Sequence, residues 1–125
     1  HSEDRVAFEW REYLNVATFL QGNAGRGVNA EAALRSATSR SYYAAFCHAR
    51  NYARDHQNFI PTGAPQDHAL VRQHYRAGQQ HQLAAWLDML RQWRNRCDYD
   101  DVAQNLAPMA AAAVATAQDV VNRLP

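Results

Sequence analysis

Apolar residues recur at three- and four-residue intervals along most of the chain, and strand-like alternation is missing, so the pattern predicts helices throughout. The first should run from about Ser2 to Leu20. Val6, Trp10, Tyr13, Leu14 and Ala17 form its stripe, and Glu3 and Asp4 suit the positive end of the helix dipole. "QGNAGRGVN" places three glycines within six residues and reads as a loop. Asn29 is the expected N-cap of a second helix reaching about His56. "FIPTGAP" then breaks the chain, and Asp67 is placed to cap a short third helix ending at Gly78. A fourth helix is expected over about Gln79 to Asp98, with Leu83, Leu87, Leu90, Arg94 and Cys97 on one stripe. The fifth spans about Asn105 to Leu124, and its stripe is Leu106, Met109, Ala113, Ala117, Val120 and Leu124. Pro108 fits only in the first turn of that helix, where its missing N–H costs nothing.

Single apolar stripes on short helices must be buried against one another. The expected fold is therefore all-α: an antiparallel up-and-down four-helix bundle with one short extra helix, in a single domain over residues 1–125. A chain of 125 residues buries roughly two-thirds of its unfolded surface, enough for one core. Ala, Ser and Thr are frequent on the stripes and allow helix axes to approach closely. No stretch reaches the roughly 18 apolar residues of a membrane span, and no signal peptide is visible. "MAAAAVATA" is short and alanine-dominated, which suits helix packing better than lipid. Cys47 and Cys97 are too few for a disulfide framework and read as reduced core thiols of a cytoplasmic protein.

Charge narrows the function classes. The net charge is +1, so any affinity for nucleic acid has to come from a local patch. All thirteen basic residues are arginine, and each is a planar fork matched to carboxylate or phosphate. The densest patch is "LRQWRNRCDYDD", residues 90–101. Arg94 lies on the leucine stripe, where a cation is costly unless it is paired or set at a wet groove. One reading is a structural ion pair with Asp98 at i+4; the other is a phosphate-binding arginine at a groove or subunit interface. Arg91 and Arg96 point away from the stripe. Trp93 could stack on a base, although such a tryptophan is more often core. On the second helix, Arg40 and Arg50 could add positive charge to a groove, and His48 reads as a hydrogen-bonded core histidine. No HExxH, CxxC, GxSxG or phosphate-loop motif is present, so no metal or nucleotide cofactor is expected.

"SATSRSYYAAFCHARNYAR", followed some forty residues later by "LDMLRQWRNRCDYDD", resembles the HEPN superfamily, the nucleotide-binding domains of higher eukaryotes and prokaryotes. The likeness is to small stand-alone members with "YYAxFHAA" on one helix and "RxxADY" ending a later one, and it covers about residues 5–124. The resemblance implies a dimeric helical bundle. Many members are metal-independent ribonucleases of bacterial toxin–antitoxin or phage-defence modules, often paired with a minimal nucleotidyltransferase antitoxin. Their signature is an arginine, a polar residue and, a few positions on, a histidine. Two copies meet across the dimer to form one cleft.

Carried onto this chain, Arg94 matches the arginine and Asn95 the polar residue. Asp98 and Tyr99 stand where the histidine belongs, and His81 is the last histidine in the sequence. The cleavage implied by the resemblance attacks a phosphate with its own 2′-hydroxyl. A histidine near pKa 6.5 can move that proton at neutral pH, whereas a tyrosine near 10 is a poor base. The implied candidate catalytic set is Arg94, Asn95, Asp98 and Tyr99, with Arg40, Arg91, Arg96 and Trp93 as RNA-binding candidates. The expected behaviour is RNA binding with weak or absent cleavage. Two alternatives stay open: a non-catalytic module that binds a protein partner, and a nucleotide-binding domain.

Overall fold

The computed structural model describes residues 7–125. Over these residues the chain forms five helices and no strand: α1 (Glu12–Gly22), α2 (Ala30–His56), α3 (Asp67–Ala77), α4 (His81–Tyr99) and α5 (Leu106–Arg123). They pack as a helical bundle centred on α2, which touches all four others. No described helix is long and apolar enough to cross a membrane.

α2 can occupy the centre because its inward positions are small. Ala33, Ala37, Ala44, Ala45, Ala49 and Ala53 are all buried. Ala17, Ala37 and Ala110 form a contact of three methyl-bearing residues, one each from α1, α2 and α5. The larger core residues are Tyr42 and Phe46 of α2 itself and Leu14, Val71, Tyr75, Leu83, Leu87, Leu90, Val120 and Leu124 from the rest of the chain. Buried hydroxyls find partners both within a helix and across helices. Thr38 donates to the Leu34 carbonyl at 3.0 Å, and the Tyr75 hydroxyl donates across to the Ala49 carbonyl at 2.6 Å.

The α2 start follows the sequence closely. Asn29 Oδ1 accepts from the Ala32 N–H at 2.9 Å, which satisfies one of the free donors at the helix start. Pro108 falls in the first turn of α5, behind Asn105, whose left-handed backbone (φ 58°) opens that helix.

Three boundaries differ from expectation. The first helix starts at Glu12, and Ala7–Glu9 are non-helical; Val6 and the acidic pair Glu3 and Asp4 lie outside the described residues. Phe8, Trp10 and Tyr13 explain the shift. They form a mutual edge-to-face cluster with centroids 5.0–5.4 Å apart, a geometry aromatic pairs favour.

Asp67 does not cap α3 in the ordinary way. It is the first helical residue, and its carboxylate reaches back to accept from the Thr62 N–H, the Thr62 hydroxyl and the Gly63 N–H at 2.7–3.2 Å. It therefore ties down the loop before the helix.

The fourth helix starts at His81 and not at Gln79. Gln79 adopts a left-handed conformation (φ 66°), with its N–H on the Arg76 carbonyl (3.2 Å) and the Gln80 N–H on Tyr75 (2.8 Å). This pair of bonds is a Schellman closure of α3, made here with a glutamine in the place glycine usually takes.

Candidate functional site

The leucine stripe of α4 is buried at Leu83, Leu87, Leu90 and Cys97, and Arg94 interrupts it. Its side chain keeps only 17% of its surface exposed. Four hydrogen bonds hold the guanidinium. Nε donates to Asp98 Oδ2 at 2.9 Å and Nη1 to Asn95 Oδ1 at 2.9 Å, while Nη2 donates to the hydroxyls of Tyr43 at 2.7 Å and Tyr99 at 3.3 Å. Its carbon lies 5.1 Å from the Tyr43 ring centre and 5.3 Å from that of Tyr99. Asp98 is held in turn by the Ser39 hydroxyl at 3.2 Å. Arg94 is thus both an i+4 ion pair and a wall residue of an open cleft. A guanidinium braced on three sides is rigid, which lowers the ordering cost of anything that binds it.

The cleft has a volume of about 780 Å³. One wall is Trp10 and Tyr13 at the approach to α1. The middle of α2 supplies Arg40, Tyr43, Phe46, Cys47 and Arg50. The loop and start of α3 add Gly63 to Pro65, Asp67 and His68, and α4 contributes Arg94 and Tyr99.

Arg40 stands over Tyr13 at 4.8 Å and over Tyr43 at 5.3 Å. Arg50 donates to Asn51 Oδ1 and lies 5.9 Å from the Trp10 and Phe46 ring centres. Neither has a carboxylate within ion-pair distance among the described residues. Asp67, the acidic residue of the lining, is saturated by Thr62 and Gly63. Those bonds, the Thr62 hydroxyl first, hold its carboxyl below the usual carboxylate range. The cleft therefore offers cations and aromatic faces together. Tyr43 and Tyr99, which accept from Arg94, keep their own hydroxyl protons to donate.

Of the expected residues, Arg94, Tyr99 and Arg40 line the cleft, and Asn95 and Asp98 brace Arg94 from behind. Three do not join them. Arg91 lies beside Asp88 at 3.4 Å, a carboxylate also 3.6 Å from Arg72. Arg96 is exposed, off the buried stripe of α4. Trp93 packs partly buried against the core, the commoner fate of such a residue. Arg50 does face the cleft.

His68 was not visible as a candidate in the sequence. Its ring stacks on Phe46 at 4.2 Å, nearly parallel, and Nδ1 hydrogen-bonds with the Tyr42 hydroxyl. Burial, and then the cations Arg94, Arg72 and Arg91, pull its pKa below the ordinary 6.5. His48 is structural: its Nε2 meets the Leu124 carbonyl at 2.7 Å and fastens the end of α5 to α2.

Cys47 and Cys97 are both buried and unpaired. Burial pushes the Cys47 thiol up, against the opposing pull of Arg50 and Arg40, so it rests as a thiol and not as a nucleophilic thiolate. No group of three or more potential metal ligands occurs among the described residues. No family model, curated protein or solved structure matches the chain.

Proposed function

We propose that the cleft binds single-stranded RNA, holding a backbone phosphate at Arg94 and flanking groups on Arg40, Arg50 and the aromatic walls. The supporting observation is the composition of that cleft: three guanidinium groups among Trp10, Tyr13, Tyr43 and Tyr99, with its one lining carboxylate, Asp67, already occupied by the loop before α3. Cations track a phosphate backbone, and aromatic faces stack bases without regard to sequence. On this reading the chain is a HEPN-type protein with an up-and-down four-helix arrangement plus the short α3. It acts in the bacterial cytoplasm within a toxin–antitoxin or defence module. It works as a homodimer that brings two Arg94 clusters together, and a minimal nucleotidyltransferase is its antitoxin partner.

Cleavage is weak or absent on the same reading. Asp98 Oδ2 pairs with Arg94 and accepts from Ser39, and Tyr99 accepts from Arg94, so both side chains serve to hold the guanidinium in place of a histidine that would move the proton. The test is fluorescence anisotropy with a labelled single-stranded oligouridylate, using the wild-type chain and Arg94→Ala, with a gel assay for cleavage in parallel. Wild type should bind, and the variant should bind at least about tenfold more weakly, since a hydrogen-bonded charge pair contributes on the order of 1.5–3 kcal/mol. Equal affinity for the two proteins, or efficient cleavage by both, would remove the assignment.

A second reading, a module that docks on a protein partner, draws on a different surface. Phe8, Val16 and Phe19 are exposed at 50%, 44% and 66% and share one side of the α1 region. It predicts a stable complex with a co-expressed neighbour and no RNA affinity.

A further inference from the structure

His68 comes from the first turn of α3, the helix before α4, and lines the same opening as Arg94. Its ring is held from two directions. Phe46 stacks at 4.2 Å and 11°, and Tyr42 lies nearly parallel at 5.6 Å while its hydroxyl bonds to Nδ1. Tyr42 is 1% exposed, and its hydroxyl has no other partner among the described residues. Burial raises the Tyr42 phenol, so it stays protonated and must donate somewhere. Nδ1 is the available acceptor.

A neutral imidazole that accepts at Nδ1 carries its proton on Nε2. Nε2 has no protein partner among the described residues. It is also not among the buried atoms lacking one, so it is not fully buried, and His68 lines the cleft.

We infer that His68 is a ligand-contacting residue: a neutral imidazole, locked by Tyr42 in its Nε2–H tautomer, that donates to a phosphodiester oxygen docked on Arg94. The inference rests on the RNA-binding reading and adds to it an imidazole donor from α3, of a kind the α4 motif lacks.

The charged and titratable surroundings support a neutral donor over an imidazolium. From α4 come Arg94 and Arg91, and from α3 Arg72, whose Nη1 also donates to the His68 carbonyl at 2.8 Å. From α2 come Tyr42 and Tyr43, and Arg40, Arg50 and Tyr99 line the same opening. Of the carboxylates nearby, Asp67 is occupied by the preceding loop, Asp98 pairs with Arg94, and Asp88 lies beside Arg72 and Arg91. Protonating His68 would add a cation among arginines and strip the Tyr42 hydroxyl of its acceptor. A base role for Nε2 is excluded by the same tautomer, which agrees with a cleft that binds without efficient cleavage.

The experiment has two readouts on the full chain. Two-bond nitrogen–proton NMR correlations of the free protein should show His68 as the Nε2–H tautomer at pH 7, and Tyr42→Phe should release it to a mixture or to the Nδ1–H form. Oligouridylate affinity should then fall about tenfold in His68→Phe, which keeps the stacking ring and removes the donor. The His68 contribution should be constant between pH 6.5 and 8. A circular dichroism melt checks that each variant folds; should His68→Phe fail to fold, His68→Leu, which also lacks the donor, replaces it.

An Nδ1–H tautomer in the wild-type protein overturns the proposal. So does undiminished RNA affinity in a folded His68 variant, or binding that requires His68 to take up a proton. If wild type binds no RNA, the reading beneath it fails as well, whereas loss of the His68 effect alone leaves RNA binding by Arg94 intact.

Discussion

Arg35 offers the sharpest test of how the candidate cleft is held together. It sits near the start of α2, and its guanidinium reaches the end of α4. There Nη1 donates to the carbonyls of Cys97 at 2.9 Å and Asp100 at 2.7 Å, and Nη2 to Asp101 at 3.2 Å. The last carbonyls of a helix lack intrahelical partners and carry the negative end of its dipole, so a guanidinium there satisfies both needs. Nε adds an i+4 pair with the exposed Glu31 at 3.0 Å.

In Arg35→Ala the three carbonyl bonds disappear. A hydrogen bond to a charged group is worth about 1.5–3 kcal/mol when well made, but Asp100 and Asp101 are exposed and water will recover part of theirs. The Glu31 pair adds no more than about 0.5 kcal/mol. A net loss of about 2 kcal/mol is the expectation. With an unfolding entropy of about 2.1 cal/mol/K per residue, 125 residues give about 0.26 kcal/mol/K, so Tm should fall by about 8 °C. Arg35→Lys places one ammonium where a fork reached three oxygens, and it should recover only part of the loss. Differential scanning calorimetry with a urea titration measures both. A melting point within about 2 °C of wild type in Arg35→Ala would show that these bonds merely exchange for water, and the claimed anchoring of the Asp98–Tyr99 segment would go with them.

Three further outcomes are expected. Gln79→Gly should raise stability by about 0.5–1 kcal/mol in chemical denaturation, because the left-handed C′ position that ends α3 strains any residue with a Cβ. Stability should decline as pH falls below about 6.5. Burial lowers the pKa values of His68 and His74 in the folded chain, so the unfolded chain binds more protons in that window; stability is full above it and is lost on acidification, and urea midpoints from pH 7.5 to 5 would show a flat profile if the reasoning is wrong. If Arg40, Arg50 and Arg94 supply the phosphate contacts, log affinity for oligouridylate should fall with log salt at a slope near −2, from three contacts at about 0.7 each, and Arg40→Ala should flatten it by roughly 0.7.

Periodicity carried the helices because a helix is a local object. The stripe of α4, the Asn29 cap and the position of Pro108 depend on residues within a few positions of one another, and each was legible in the chain. The same pattern misjudged the start of α1. An aromatic at i, i+3 spacing reads as one stripe whether the backbone between is helical or folded back on itself, and the packing of Phe8 against Trp10 and Tyr13 decided that. Asp67 was read as a cap because capping residues and loop-pinning residues share a chemistry; which donors reach it depends on the path of Thr62 and Gly63.

Within the candidate site, Arg94 stood out alone as a cation among leucines, and its i+4 partner Asp98 was legible for the same local reason. What no spacing rule could reach was the company it keeps. Tyr43 is 51 residues away along the chain, and His68 meets Tyr42 across 26. Those approaches exist because α3 and α4 both pack against α2. The linear order of residues thus determined which segments coil and which cation is out of place. The convergence of three arginines, a histidine and five aromatic rings on one opening was decided by helix packing, because contacts between elements are set by the burial of whole faces and leave no periodic trace in the sequence.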